Sequence, residues 1–500
     1  MSRLLLIKPY RPERLFVTSP PLGLLAVAAY LREQAQRRGQ PLTIRILDLN
    51  PGRRLPVDVL PEVREFQPDV IGISALSCEA DAVHALTATL KREWPSLPLV
   101  LGGPFPSHDT EEALRDQNVD FLVLAEGELT FDELLTTLRE GGDPATVAGI
   151  AYRREGRTFI TPERPFIQDL DSLPMPAYDL IDFRKYFNVP RHTRIFAHQQ
   201  YMTVVSTRGC PYKCVYCHVT MGKKTRFRSA EKVVEEVEYL VKHHGVREIQ
   251  WSDDIWNLNR ARSKKICDLL IERGIRVAMA FPNGVRGDLI DDELLDKLKA
   301  AGCYHITFAP ETGSPRMQKF IEKNVKLDVL MDVIRRASER GIWCHGFFMV
   351  GFPTETLEEM RMTFDYALRS RLNTASFFIV NAHKGTKLYE MAGFLGLNVD
   401  YRPSAHNYMS PDFQLSRVPT DRVRRMIRNT YFRFFSSPRR LVRIMRTVPH
   451  KRQLLEFARE LLYRIVEQIR QRRVDIYQAE GVPAFEAIPK LERVEHFNRL

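Results

Sequence analysis

The chain has 500 residues, 44% hydrophobic and 27% charged, a globular composition that excludes collagen, a disordered chain and a disulfide-dense scaffold. At roughly 100 to 200 residues per domain it is too long for one core. Lys and Arg (74) less Asp and Glu (62) give +12, and residues 411–500 hold 20 basic against 10 acidic residues, so most of the excess lies in the last fifth. A solvated helical face accounts for such a tail without any partner, and no nucleic-acid motif accompanies it. Peripheral contact of these basic helices with a membrane surface stays open. No apolar run approaches the roughly 18 residues that span a bilayer, and the apolar stretch at Leu4–Ile7 is too short for a signal peptide. The expected location is the cytoplasm.

In chain order, residues 1–145 alternate nearly continuous apolar runs with periodic helical stretches. The predicted strands are Arg3 to Pro9, Thr43 to Leu49, Asp69 to Ser74, Pro98 to Gly102 and Asp120 to Ala125. Helices are predicted over Leu22 to Arg38, Glu79 to Trp94, Glu111 to Asp116 and Leu129 to Arg139. Such runs are buried on both faces of a parallel sheet, so the first domain is expected to be a doubly wound, Rossmann-like α/β unit of five strands. Residues 146–190 read as a linker, because Asp169 to Pro176 carries prolines at alternate positions.

Residues 191–400 resume the alternation, with strands at Tyr201 to Ser206, Glu248 to Ser252, Arg276 to Phe281, Tyr304 to Phe308, Cys344 to Val350 and Thr374 to Val380. Six βα units predict a second parallel sheet curled into a partial (β/α)6 TIM barrel. Residues 401–500 predict a helical unit, with helices at Arg422 to Arg433, Pro438 to Arg446 and Arg452 to Arg472. There is no internal repeat.

Four of the seven cysteines, Cys78, Cys267, Cys303 and Cys344, stand alone in apolar surroundings and read as core thiols. The other three, Cys210, Cys214 and Cys217, have C-x3-C-x2-C spacing directly after the first strand of the second sheet. Three thiolates on one loop can hold three irons of a cubane and leave the fourth iron open. Zinc is the alternative, but it wants four ligands, and His218 is poorly placed to be the fourth.

This spacing, with the aromatic Tyr216 before the third cysteine, resembles the radical S-adenosylmethionine superfamily. The resemblance implies a [4Fe-4S] cluster whose open iron binds the amino and carboxylate groups of S-adenosylmethionine. An electron from the cluster then cleaves the sulfonium to methionine and a 5′-deoxyadenosyl radical. It also implies an electron donor such as flavodoxin or ferredoxin. Cosubstrate contacts are expected at successive strand ends, namely Ser252, Asp253 and Asp254, then Asn283 and Arg286, then Glu311, then Gly351. Taken singly, each glycine is more often a turn residue, and the paired aspartates are more often exposed or at a helix cap.

The first domain resembles a cobalamin-binding domain. Ser74-Ala75-Leu76 matches its S-x-L, and Gly102-Gly103 matches its glycine pair. Glu126, in Leu124-Ala125-Glu126-Gly127-Glu128, falls in another hallmark of such enzymes. Where the familiar form has D-x-H-x-x-G, this chain has Asp48-Leu49-Asn50-Pro51-Gly52-Arg53, so no histidine is available there as a lower cobalt ligand. If cobalamin has been lost, the domain is a plain flavodoxin-like scaffold.

The leading expectation is a monomeric, cobalamin-dependent radical enzyme that transfers methyl from methylcobalamin to an unactivated centre of a small-molecule or lipid intermediate. The alternatives are an oxidative cyclase or rearrangement enzyme without net methylation, and a non-catalytic corrinoid- or nucleic-acid-binding protein. Both cofactors are expected to face one cavity between the strand ends of the two sheets.

Overall fold

The computed structural model describes residues 2–10, 19–399 and 414–459, apart from positions 188, 190, 192, 194, 219, 398, 456 and 457. The first sheet is built on β1 (Arg3–Lys8), β2 (Thr43–Asp48), β3 (Val70–Ser74), β4 (Leu99–Gly102) and β5 (Phe121–Val123), in the order β2-β1-β3-β4-β5. All neighbours among these five run parallel, which is the flavodoxin-like form of the doubly wound fold. Its strands feed two helical layers. Leu4 and Leu6 pack with Leu25 and Leu134, whereas Leu5 and Ile7 pack with Val83 and Leu86.

The linker reading of residues 146–190 needs correction. β6 (Ile150–Arg154), antiparallel to β5, and β7 (Arg157–Ile160), antiparallel to β6, extend the sheet to seven strands. Glu155 and Gly156 turn this hairpin with φ of 53° and 75°, the geometry of a two-residue turn of the primed type. The proline-bearing stretch beyond it holds only short helical turns at Leu170–Ser172, Tyr178–Leu180 and Arg184–Phe187.

The second sheet has six parallel strands in the order β8-β11-β12-β13-β14-β15: β8 (Tyr201–Val204), β11 (Glu248–Trp251), β12 (Ala278–Val285), β13 (Cys303–Glu311), β14 (Trp343–Val350) and β15 (Thr374–Ile379). The end strands β8 and β15 do not pair, so the barrel is partial, as expected. Met202, Ile249, Met279, Ile306, Phe348 and Phe377 face the surrounding helices, leaving the alternate residues for the inner face. β12 and β13 run four and three residues past their predicted ends, carrying Asn283 and Glu311 within strands. Between β8 and β11 a short ribbon pairs β9 (Thr207–Arg208) with β10 (Arg226–Phe227).

The C-terminal unit is helical over Thr420–Phe435 and Pro438–Thr447, and most of the predicted helix Arg452 to Arg472 lies outside the described residues. At the edge of the sheet the Tyr431 hydroxyl accepts from the Phe377 N–H at 3.1 Å. The first of these helices thus covers the open β15 edge, a standard protection for unpaired strand groups.

Candidate active site between the two sheets

The cysteine loop follows β9 and is held on three sides. Gly209 has φ of +85°, and a Cβ there would meet the carbonyl of Lys224 at 2.6 Å, so only glycine fits. Its N–H donates to Asp254 Oδ2 at 2.9 Å. The Cys210 N–H donates to the Gly222 carbonyl, and the Val215 N–H donates to the Ile321 carbonyl, both at 3.1 Å. Cys210 and Cys214 are half-buried and Cys217 is exposed.

Desolvation in the loop raises all three thiols above the ordinary cysteine value, and the neighbouring sulfurs add to it at Cys210 and Cys217. They therefore need a bound cation to serve as thiolate ligands. Among the described residues no three His, Cys, Asp or Glu side chains converge around one metal position. A cubane asks for something else, since each cysteine binds a different iron. A loop with three thiols and no fourth local ligand fits that donor set.

Behind the loop, Tyr216 donates to Glu311 Oε1 at 3.0 Å, and Lys323 Nζ donates to the same oxygen at 2.7 Å. Glu311 is buried with φ of 64°, a conformation unusual for a residue with a Cβ and frequent at functional sites. Lys323 is also the strongest cationic influence on Cys214. Sequence reasoning missed it, because its only signal was a lone lysine after an unrecognised helix, Pro315–Phe320.

Several of the expected cosubstrate residues also hold the surrounding chain in place. Asp253 is buried, and its Oδ1 accepts from the Ser206 N–H and the hydroxyls of Ser206 and Thr207. Arg286 forks onto Asp288, donates to the Lys323 and Asn324 carbonyls, and lies 4.1 Å from the Tyr212 ring centroid. It stiffens the loop, and its guanidinium is already engaged. Asn283 is exposed toward the cleft and anchored through its amide to the Asp253 carbonyl at 3.0 Å. Ser252 is half-buried at the end of β11. Gly351 has φ of +94°, and its N–H donates to Glu355.

On the opposing sheet the two glycines differ. A Cβ on Gly103 would sit 2.8 Å from Ser74 Oγ, so the chain's own packing requires that glycine. A Cβ on Gly102 would make only ordinary contacts, with Val123 at 3.8 Å and the Ile73 carbonyl at 4.0 Å, so the chain's own packing does not demand glycine there. Leu76 stands beside it, 44% exposed. Asn50 donates to the Pro9 carbonyl and to Asp48, whose other oxygen accepts from Tyr186. A glycine that packing does not demand, flanked by an exposed leucine at the strand end, fits a large flat ligand such as a corrinoid.

Glu126 is already engaged within the chain. It does not face that edge as a free contact: Oε1 accepts from Arg208 and Arg226 at 2.9 and 2.7 Å, and Oε2 accepts from the Ile167 N–H. Glu128 completes the cluster on Arg208 at 2.6 Å. His108 stacks on His218 with centroids 4.1 Å apart and meets Thr220 at 2.9 Å, while Lys384 pairs with Asp109 at 2.7 Å. The loops after the strands of both sheets therefore meet at one cleft.

Comparison with known proteins agrees with this arrangement. Residues 204–367 match the radical SAM superfamily model and residues 15–135 match the B12-binding domain model. A cytidylyl-2-hydroxyethylphosphonate methyltransferase of Streptomyces wedmorensis is 32% identical over 369 residues, covering 66% of this chain and 68% of that one. The chain belongs to the cobalamin-dependent radical S-adenosylmethionine enzymes. This family assigns it a [4Fe-4S] cluster, S-adenosylmethionine and cobalamin as cofactors. An uncharacterized methyltransferase of Pyrococcus horikoshii is 29% identical, covering 85% of this chain and 90% of the other. The cobalamin-dependent radical enzyme OxsB, solved with aqua-cobalamin and S-adenosylmethionine, shares the fold with a TM-score of 0.71 at 15% identity, covering 100% of this chain and 84% of that one. No helix among the described residues is long and apolar enough to cross a membrane.

Proposed function

We propose that this radical SAM enzyme methylates an unactivated carbon centre of a small-molecule biosynthetic intermediate. The observation that carries the reading is that the cysteine loop and the loops after the strands of the cobalamin-side sheet are locked together by Glu126 with Arg208 and Arg226. When bound, the cluster, S-adenosylmethionine and cobalamin supply a deoxyadenosyl radical and a transferable methyl group. Cys210, Cys214 and Cys217 would hold the cluster. Glu311, kept in place by Lys323 and Tyr216, is positioned to accept hydrogen bonds from cosubstrate amine or hydroxyl groups. Asn283 lies exposed toward the cleft with its amide oxygen available for the same task.

Ser74, Leu76, Gly102 and Gly103 would line the corrinoid side. Lys213, Lys223 and Lys224 are exposed around the cluster loop, a basic rim suited to an acidic electron carrier such as a flavodoxin or ferredoxin.

The test is product counting under anaerobic conditions with reconstituted protein, reductant and candidate substrate. Methylation yields S-adenosylhomocysteine together with 5′-deoxyadenosine. A cyclase or rearrangement yields 5′-deoxyadenosine without S-adenosylhomocysteine and would overturn the methyltransferase reading. Cys214→Ala should abolish the deoxyadenosine.

A further inference from the structure

The two C-terminal helices hold almost all of the chain's excess charge. Residues 414–459 contain 13 Arg and Lys against only Asp421 and Glu456, a net +11 within a whole-chain total of +12, whereas residues 460–500 have 7 of each sign. Part of this charge serves the fold: Arg440 and Arg443 donate to the Leu372 carbonyl, each at 3.0 Å. The rest does not. Arg422, Arg425, Arg428, Arg433, Arg439 and Arg446 meet no carboxylate among the described residues. Like charges gathered in this way repel one another and weaken the compact state, so an anionic partner is the gain that offsets them.

Packing fixes which way the second helix, Pro438–Thr447, faces. Arg440 points inward onto those carbonyls, and Ile444, one turn on, packs with Ile195 and Trp343. Helical spacing then turns Leu441, Val442 and Met445 outward, where they are 40% to 48% exposed and flanked by the exposed Arg439 and Arg446. On the first helix Phe432 is 72% exposed, one turn from Arg428 and two from Arg425. The second helix lies against the amino ends of β14 and β15, at Trp343 and at Asn373, whose amide donates to Thr447 Oγ1 at 2.7 Å. The cysteine loop stands at the opposite, carboxyl end of the strands. This outer face is therefore separate from the cleft.

Aliphatic side chains set among arginines select the partner's chemistry. An anionic lipid surface satisfies both kinds of group, because its phosphates accept from guanidinium and its acyl boundary takes the apolar side chains. A nucleic acid would neutralise the arginines but leave Leu441, Val442 and Met445 in water. A second copy of the chain would bring the same positive face and be repelled. The second helix has ten residues, about half of what spans a bilayer, so the contact is peripheral. We propose that this face docks the enzyme on an anionic lipid surface, with Leu441, Val442 and Met445 at the acyl boundary and Arg439 and Arg446 on the headgroup phosphates. The proposal concerns where the enzyme works and does not depend on the methyl-transfer reading.

Co-sedimentation of the full-length, cofactor-reconstituted protein tests it with two vesicle preparations, phosphatidylcholine alone and phosphatidylcholine with about 30% phosphatidylglycerol, in about 0.1 M salt. The anionic vesicles should bind at least about tenfold tighter, and about 0.5 M salt should remove most of that preference. Leu441→Ser together with Met445→Ser should weaken binding about tenfold, as should Arg439→Gln together with Arg446→Gln. All four side chains are exposed, so the fold should persist, which circular dichroism checks. Phe432→Ser gives a second apolar test should the paired variant melt early. Equal binding to both vesicles, or indifference to the apolar substitutions, would overturn the proposal. Tighter binding to a single-stranded RNA of about 20 nucleotides than to the anionic vesicles would reassign the face to nucleic acid. A protein that ignores both vesicles yet melts earlier with Leu441→Ser would show that residues 460–500 cover the stripe, which also sinks the lipid reading. Sedimentation is read without turnover, so absence of S-adenosylhomocysteine bears on the methyl-transfer reading alone.

Discussion

Glu126, at the carboxyl end of the cobalamin-side sheet, and Arg226, on the ribbon behind the cysteine loop, form a buried ion pair at 2.7 Å, their side chains 5% and 3% exposed. Arg208, two residues before Cys210, shares the same carboxylate. The pair is thus the mechanical link between the corrinoid edge and the cluster loop. Removing one member of a buried pair leaves the other charge stranded, at about 3–5 kcal/mol. Glu126→Gln should lower the melting temperature measured by circular dichroism and speed proteolysis between residues 161 and 200. An unchanged melt and digest would show that the two sheets are held by other contacts.

Lys323 offers a second test. Its ammonium pairs with Glu311 and also approaches the Tyr216 hydroxyl at 3.3 Å. Lys323→Met would leave the Glu311 carboxylate, held at a positive φ, with only Tyr216 as a donor. Groups that orient those around a metal centre typically cost 10–100-fold when removed, so deoxyadenosine formation should fall by about that factor. Iron and sulfide content, measured in parallel, should stay near the wild-type ratio. Loss of the cluster itself would reassign Lys323 to folding of the loop.

What the sequence disclosed depended on how local the cause was. The parallel strands were legible because Leu4–Ile7 and Val70–Ile73 are apolar on both faces, and the cysteine triplet because its spacing lies within one loop. β7 was not legible: all four of its residues are exposed, so it carries no hydrophobic run, and only the turn at Glu155 and Gly156 marks it. Pro282 and Gly284 hid the extension of β12 in the same way. The pairing of Glu126 with Arg226 joins residues 100 positions apart, a distance that no local pattern spans. Asn50 illustrates a middle case. Its identity as the departure from histidine was plain, but its anchoring to the Pro9 carbonyl needed the fold.

Glu355 makes a pH-dependent prediction. It is 2% exposed, and burial raises its carboxyl to about 8 although the N–H groups of Gly351 and Phe352 donate to it. An unfolded glutamate titrates near 4.3, so between about pH 4.3 and 8 the folded state holds a proton that the unfolded state has lost. Stability from this group therefore falls as pH rises through that window. Glu355→Gln keeps the acceptor and removes the titration. It should raise the melting temperature at pH 8 by about 2 °C or more and flatten its slope between pH 5 and 8. A slope identical to wild type would place the titrating group elsewhere.

Arg440 shows that part of the basic tail serves the fold. It is 3% exposed and donates to the carbonyls of Ala367, Leu368, Ser370, Leu372 and Phe434, with its guanidinium against the Phe434 ring. The first of these carbonyls end the helix Leu357–Arg369, where the last carbonyls have no N–H donors within the helix and a cation is favoured. Arg440→Met preserves much of the side-chain volume but strands several buried carbonyls, each worth about 1–3 kcal/mol. Limited trypsin digestion should then release the region beyond residue 414 well before the rest of the chain. A substitution of the exposed Arg439 should leave the digestion pattern as in wild type, because that side chain has no such carbonyls to satisfy. If both variants resist trypsin equally, the two C-terminal helices are held by apolar packing through Phe434 and Ile444 alone.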